Sequence, residues 1–195
     1  MSSQPEDGWH GGSGSGDGQA LPAGNTAGDA GGATGAGSGT HIIQNTVWDG
    51  NSCTSSVQRG GALYVASDVP GAENWLVLES SVFKNNIAIM GGAIHMNAGA
   101  KASLSQVTFE GNQAKSIGGA INMVPTSALE MTSTTFVDNQ ANGAGATVYS
   151  EQPLLIKIVD SDFSASGGSD SVHIAGTTGD CGVHPCDPGQ SCTYF

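Results

Sequence analysis

The sequence predicts an all-β fold: a right-handed parallel β-helix of about five rungs, preceded by a disordered, glycine-rich N-terminal tail. Three observations carry the prediction. An aromatic residue recurs with asparagine three positions on, in Trp48-Asp-Gly-Asn51, Phe83-Lys-Asn-Asn86, Phe109-Glu-Gly-Asn112 and Phe136-Val-Asp-Asn139; Phe163 keeps the ring and loses the amide. From Phe83 onward the aromatics are spaced 26, 27 and 27 residues apart, after a first step of 35 that holds insertions. No stretch shows the i, i+3, i+4 pattern of a helix.

Two further columns repeat with the rings. Downstream of each aromatic a glycine-led strand begins: Gly60-Gly61-Ala62-Leu63, Gly91-Gly92-Ala93-Ile94, Gly118-Gly119-Ala120-Ile121 and a decayed Gly145-Ala146-Thr147-Val148. Upstream, seven and five residues before each ring, stand His41/Ile43, Leu76/Leu78, Ala102/Leu104, Leu129/Met131 and Ile156/Ile158. Three short strands per unit cannot bury a face alone. Stacked at the interstrand spacing of ~4.8 Å, the units bury it as a continuous column. Trp48, Phe83, Phe109, Phe136 and Phe163 then form one structural ladder, and Asn51, Asn86, Asn112 and Asn139 another that passes amide hydrogen bonds from rung to rung. The Gly-Gly pairs supply the positive-φ corner. A β-sandwich does not repeat the same residues at a fixed interval, so the solenoid is the better account.

The chain divides into three parts. Residues 1–40 hold 13 of the 31 glycines and four acids without a Lys or Arg, the composition of an acidic Gly/Ser/Ala-rich tail or linker. Residues 41–176 carry the repeats. Residues 177–195 hold Cys181, Cys186 and Cys192, a spacing that reads as the start of a truncated disulfide module and so as an oxidising, extracellular setting. Free thiols and a zinc knuckle with His184 are the alternatives, although the spacing fits no common zinc pattern. Cys53 lies in the insertion of the first unit.

Charge narrows the function classes. Seventeen acids against five Lys and Arg give a net charge of −12, which disfavours nucleic acid and anionic lipid as partners. No apolar run approaches the ~18 residues of a membrane span, and Met1–His10 lacks the basic and apolar regions of a signal peptide.

The paired Gly-Gly-Ala-(Ile/Leu/Val) and Phe-x-x-Asn motifs resemble the repeats of the chlamydial-type polymorphic outer-membrane proteins, over about residues 42–175. The resemblance implies β-helical passenger domains of autotransporter adhesins, hence surface attachment rather than catalysis and an extracellular or cell-surface location. With the incomplete cysteine segment, it points to a fragment of a larger surface protein. Parallel β-helices of the pectate-lyase type also host polysaccharide lyases and hydrolases, so a polysaccharide-active enzyme is an alternative, and a passive spacer is another.

Catalysis on a solenoid needs outward-facing groups. If Leu63, Ile94, Ile121, Val148 and Val172 point inward, the outward column beside them is Tyr64, His95, Asn122, Tyr149 and His173. It holds no acid pair of the kind glycoside chemistry requires. The column Ile42, Val77, Ser103, Glu130 and Lys157 holds none either. Arg59 sits at a turn with no acidic neighbour in sequence, and Asp138, Asp160 and Asp162 read as solvated turn acids. No catalytic residue, metal site or cofactor is assigned. The Tyr/His/Asn/Tyr/His strip is the candidate binding surface, suited to a glycan or a cell-surface protein. Exposed strand edges at the ends of the solenoid predict end-to-end self-association.

Overall fold

The computed structural model describes residues 40–53, 59–65, 74–165 and 172–175, together with strands at 26–27, 34–36, 181–183 and 191–194. The chain winds as a parallel β-solenoid of four full turns and an incomplete fifth, and no described residue is helical. Four sheets run along its length. The leucine sheet holds Thr40–Gln44, Asn74–Glu79, Ala100–Ser105, Ala128–Thr132 and Leu155–Val159. The aromatic sheet holds Val47–Asp49, Val82–Lys84, Thr108–Glu110, Thr135–Val137 and Asp162–Ala165. The glycine-led sheet holds Leu63–Val65, Ile94–Met96, Ile121–Met123, Val148–Glu151 and Val172–Ala175.

The fourth sheet is a departure from three strands per unit. Ser52–Cys53, Ile87–Met90, Gln113–Ile117 and Gln140–Ala141 follow the buried asparagines and pair with one another in parallel. These strands are short, and their inner side carries small residues, Cys53, Ala88 and Ala114. A pattern of alternating large apolar residues therefore never develops, and periodicity does not reveal them. Cys53 accordingly belongs to a strand and is buried, rather than lying in an inserted loop.

Register follows the repeat. His41, Leu76, Ala102, Leu129 and Ile156 stand opposite one another, as do Ile43, Leu78, Leu104, Met131 and Ile158. The rings of Trp48, Phe83, Phe109, Phe136 and Phe163 stack with centroids 4.2, 5.0, 5.0 and 4.6 Å apart, all within 15° of coplanar. Stacked rings at this separation add to the gain from burial. Leu63, Ile94, Ile121, Val148 and Val172 close the third side of the core.

The corners explain the residue types between strands. Gly60, Gly91, Gly118 and Gly145 all have φ of +65°, which turns the chain into the glycine-led sheet. Ahead of the aromatic sheet, Asn45, Ser80, Gln106, Ser133 and Asp160 take φ between +47° and +55°. Behind it, Gly50, Asn85, Gly111 and Asp138 take φ between +51° and +64°. Asp138 and Asp160 are therefore corner residues, exposed at left-handed positions that Asn and Asp tolerate better than most.

Residues of the two terminal segments add strands at the ends. Thr26–Ala27 and Thr34–Ala36, within the segment expected as a tail, pair in parallel with Ser52–Cys53 and Leu63–Val65. At the other end Cys181–Val183 and Ser191–Tyr194 pair antiparallel with Val172–Ala175 and Leu155–Val159. Cys181 stands opposite Ile174 and Cys192 opposite Ile158; Cys186 and His184 lie outside the described residues.

Candidate functional site

The outer face of the glycine-led sheet positions the candidate residues. Parallel pairing sets Tyr64 opposite His95, His95 opposite Asn122, Asn122 opposite Tyr149 and Tyr149 opposite His173. Alternate residues of these strands point inward, so the five occupy successive turns of one outer column. The column is not a uniform solvated strip. Tyr64, Tyr149 and His173 are half-buried, whereas His95 and Asn122 are fully buried.

Contacts run along the column. The Tyr64 and His95 rings stack at 5.5 Å with planes 5° apart, and Tyr149 stacks on His173 at 5.4 Å and 6°. Between the pairs, Asn122 Nδ2 lies 2.9 Å from His95 Nδ1. Burial, and then the positive charge of Arg59 nearby, hold the His95 imidazole far below its ordinary range, at a pKa of about 3. At neutral pH the ring is uncharged. Its Nδ1 accepts from the Asn122 amide, which places the ring proton on Nε2.

Arg59 is the member of this neighbourhood that sequence reasoning set aside. It stands one residue before the Gly60 corner and bridges to Met90 on the next turn, which brings its side chain beside the column. Nothing in the local sequence signals this, because the contact is made across turns.

The other candidate surfaces carry less chemistry. Ile42, Val77, Ser103, Glu130 and Lys157 stand in register on the outside of the leucine sheet, where Lys157 and Glu130 approach to 4.0 Å. Lys101 lies 5.4 Å above the Trp75 ring on the same face. Lys84 pairs with Asp49 at 3.2 Å on the aromatic sheet. Among the described residues no three His, Cys, Asp or Glu side chains gather as metal ligands would.

The asparagines lie inside. Asn51, Asn86, Asn112 and Asn139 are buried, and each of the first three donates its Nδ2 to the Oδ1 of the next at 2.9–3.0 Å. The backbone N–H of each donates to the same oxygen. Asn86, Asn112 and Asn139 also donate to the carbonyls of Trp48, Phe83 and Phe109 one turn back. A shorter second series went unread in the sequence: Thr46 N–H donates to Ser81 Oγ and Thr134 N–H to Ser161 Oγ. Its signal was available as a small hydroxyl residue two positions before each aromatic, interrupted at Val107.

No helix among the described residues is long and apolar enough to cross a membrane. Neither the curated proteins nor the solved structures yield a match to the chain. Residues 106–122 cover part of one period of the repeat, from the corner before Phe109, through Asn112 and the Gly118-Gly119 turn, to Asn122, and this stretch matches the family model of the Chlamydia polymorphic membrane protein (Chlamydia_PMP) repeat.

Proposed function

We propose that the chain is the β-helix module of a secreted or cell-surface protein and that it attaches, without catalysis, to a glycan or a partner protein through the outer face of its glycine-led sheet. The observation that carries this reading is the single column of Tyr64, His95, Asn122, Tyr149 and His173, which concentrates rings and an amide on one side of the solenoid. Aromatic and amide groups repeated at the interstrand spacing match the repeating apolar faces and hydroxyls of a sugar chain. The match of residues 106–122 to a membrane-protein repeat supports the surface setting.

The test is attachment of the purified chain to a glycan array and to cultured cells, wild type against a Tyr64→Ala, Tyr149→Ala, His173→Ala triple variant. These three side chains are half-buried, so their removal leaves the core intact. Loss of attachment at an unchanged melting temperature supports the reading. Retained attachment sinks it.

A further inference from the structure

Three side-chain atoms on or beside the outer face of the glycine-led sheet are buried with no hydrogen-bond partner: Arg59 Nε, His95 Nε2 and Asn122 Oδ1. They come from three successive turns. His95 and Asn122 are register neighbours, and Arg59 adjoins Gly60, whose Cβ position would lie 3.1 Å from the His95 backbone nitrogen. Buried polar atoms in native proteins almost always have partners, so three orphans on residues of adjoining turns call for one. Arg59 is also the one arginine of a chain with net charge −12, yet its Nε meets no carboxylate.

The identity of the orphan atoms defines their complement. Because His95 Nδ1 accepts from Asn122 Nδ2, His95 offers Nε2–H as a donor. Arg59 Nε–H is a second donor and carries the positive charge. Asn122 Oδ1 is an acceptor. We propose that Arg59, His95 and Asn122 form a binding site for a carboxylate with a hydroxyl on the carbon next to the one that bears it, the pattern of a hexuronic acid in its ring form. The carboxylate accepts from Arg59 and His95, and the hydroxyl donates to Asn122. A phosphate dianion supplies the charge but sets an oxygen against Asn122 Oδ1. A neutral sugar offers no charged acceptor to Arg59 Nε–H and His95 Nε2–H. Arg59 and Tyr64 are half-buried and His95 and Asn122 buried, so the acid reaches the three atoms by displacing side chains at the surface. The overall negative charge disfavours a polyanion and favours a single acidic residue.

This inference rests on reading the face as a binding surface and narrows it to one chemistry. The test follows the His95 Nε2–H resonance of the 15N-histidine-labelled full chain during titration with D-glucuronate, D-glucose, glucuronate methyl ester and inorganic phosphate. Glucuronate is expected to shift the resonance and to bind at least tenfold more tightly than the other three. Arg59→Gln should weaken it at least tenfold, and Asn122→Ala should abolish its advantage over phosphate. Glucose or the ester binding as tightly overturns the proposal, as does an Arg59→Gln protein that binds unchanged. Phosphate binding equally overturns it by reducing the cluster to a general anion site. No response to any probe also overturns it and assigns the orphan atoms to ordered water. Attachment through Tyr149 and His173, which contribute no atom to this cluster, is read out separately, so the wider surface reading can survive that failure.

Discussion

Asn86 delivers both its backbone N–H and its side-chain Nδ2–H to the one Oδ1 of Asn112, at 3.1 and 2.9 Å. Asn112 repeats the arrangement onto Asn139 at 3.1 and 2.9 Å, and its second Nδ2 proton goes to the Phe83 carbonyl at 2.9 Å. Every hydrogen-bonding position of the Asn112 amide is thereby used. An aspartate has no donor for Asn139 or Phe83, and a glutamine is one methylene too long for a corner with no exposed volume.

Asn112→Ala should therefore cost on the order of 3 kcal/mol, because the buried groups of Asn86, Phe83 and Asn139 lose partners together. Asn112→Asp should cost at least as much, with two acceptors facing each other in a dry interior. Urea unfolding midpoints for the two variants decide the matter, and an unchanged midpoint for either removes the ladder from the account of stability.

The second glycine of each Gly-Gly pair is required by space rather than by φ. A Cβ at Gly92 would sit 2.1 Å from the Gly119 carbonyl oxygen and 2.7 Å from backbone atoms of Gln113. Backbone cannot step aside as a side chain can, so Gly92→Ala should separate two turns and prevent cooperative folding. Gly111 offers the contrast. It has φ +62°, and the nearest atom to its Cβ position is Asn85 Oδ1 at 3.1 Å. Asn85 and Asp138 hold equivalent corners with natural side chains. Gly111→Asn should thus cost no more than about 1 kcal/mol. Circular dichroism melts of both variants distinguish a packing limit from a conformational one.

Much of the solenoid was legible because stacking imposes the same demand on every turn. Phe83, Phe109 and Phe136 meet nearly identical surroundings and recur at a nearly constant interval, so a single sequence displays the core as a pattern. The fourth sheet was hidden because Ala88 and Ala114 are too small to mark a period. The left-handed corners at Ser80 and Gln106 were hidden because their conformation is set by the turn and not by residue type. The outer column was legible in register, since Leu63, Ile94 and Ile121 fix which neighbours point outward. Its burial was not, because Tyr64 and Arg59 meet His95 from the turn on one side and Asn122 from the turn on the other, and sequence spacing does not encode side-chain reach.

Val107 tests how far the hydroxyl series extends. It is buried at the column position held elsewhere by Thr46, Ser81, Thr134 and Ser161, whose hydroxyls bond to the carbonyl two residues back at 2.8–3.4 Å. Val107→Thr keeps the shape and places a hydroxyl within reach of the Ser105 carbonyl. Its cost should be under about 0.5 kcal/mol, because the new polar group arrives with a partner. Val148→Thr puts the same hydroxyl among Ile121 and Val172, with no equivalent carbonyl series, and should cost about 1–3 kcal/mol. Equal costs at the two positions would remove the distinction between them.

His95 makes stability depend on pH with a definite sign. Its folded-state pKa of about 3 lies below the ordinary 6.5, so between those values the unfolded chain binds a proton that the folded chain refuses. The stability gained by keeping the ring neutral is complete above pH 6.5 and is lost as pH falls toward 3, by at most about 4–5 kcal/mol. The charges around the ring do not oppose this: Arg59 repels a second positive charge, and Tyr64 and Asn122 are neutral. Asp49, held low first by the Asn85 hydrogen bond and also by Lys84, loses its contribution in acid too, but equally in a His95 variant. The informative quantity is thus the difference between wild type and His95→Asn, which puts the residue type of Asn122 one turn earlier in the column. Unfolding free energies measured from about pH 4 to 7 should show the wild type falling more steeply in acid. Parallel curves would mean that His95 gains its proton without leaving its place between Tyr64 and Asn122.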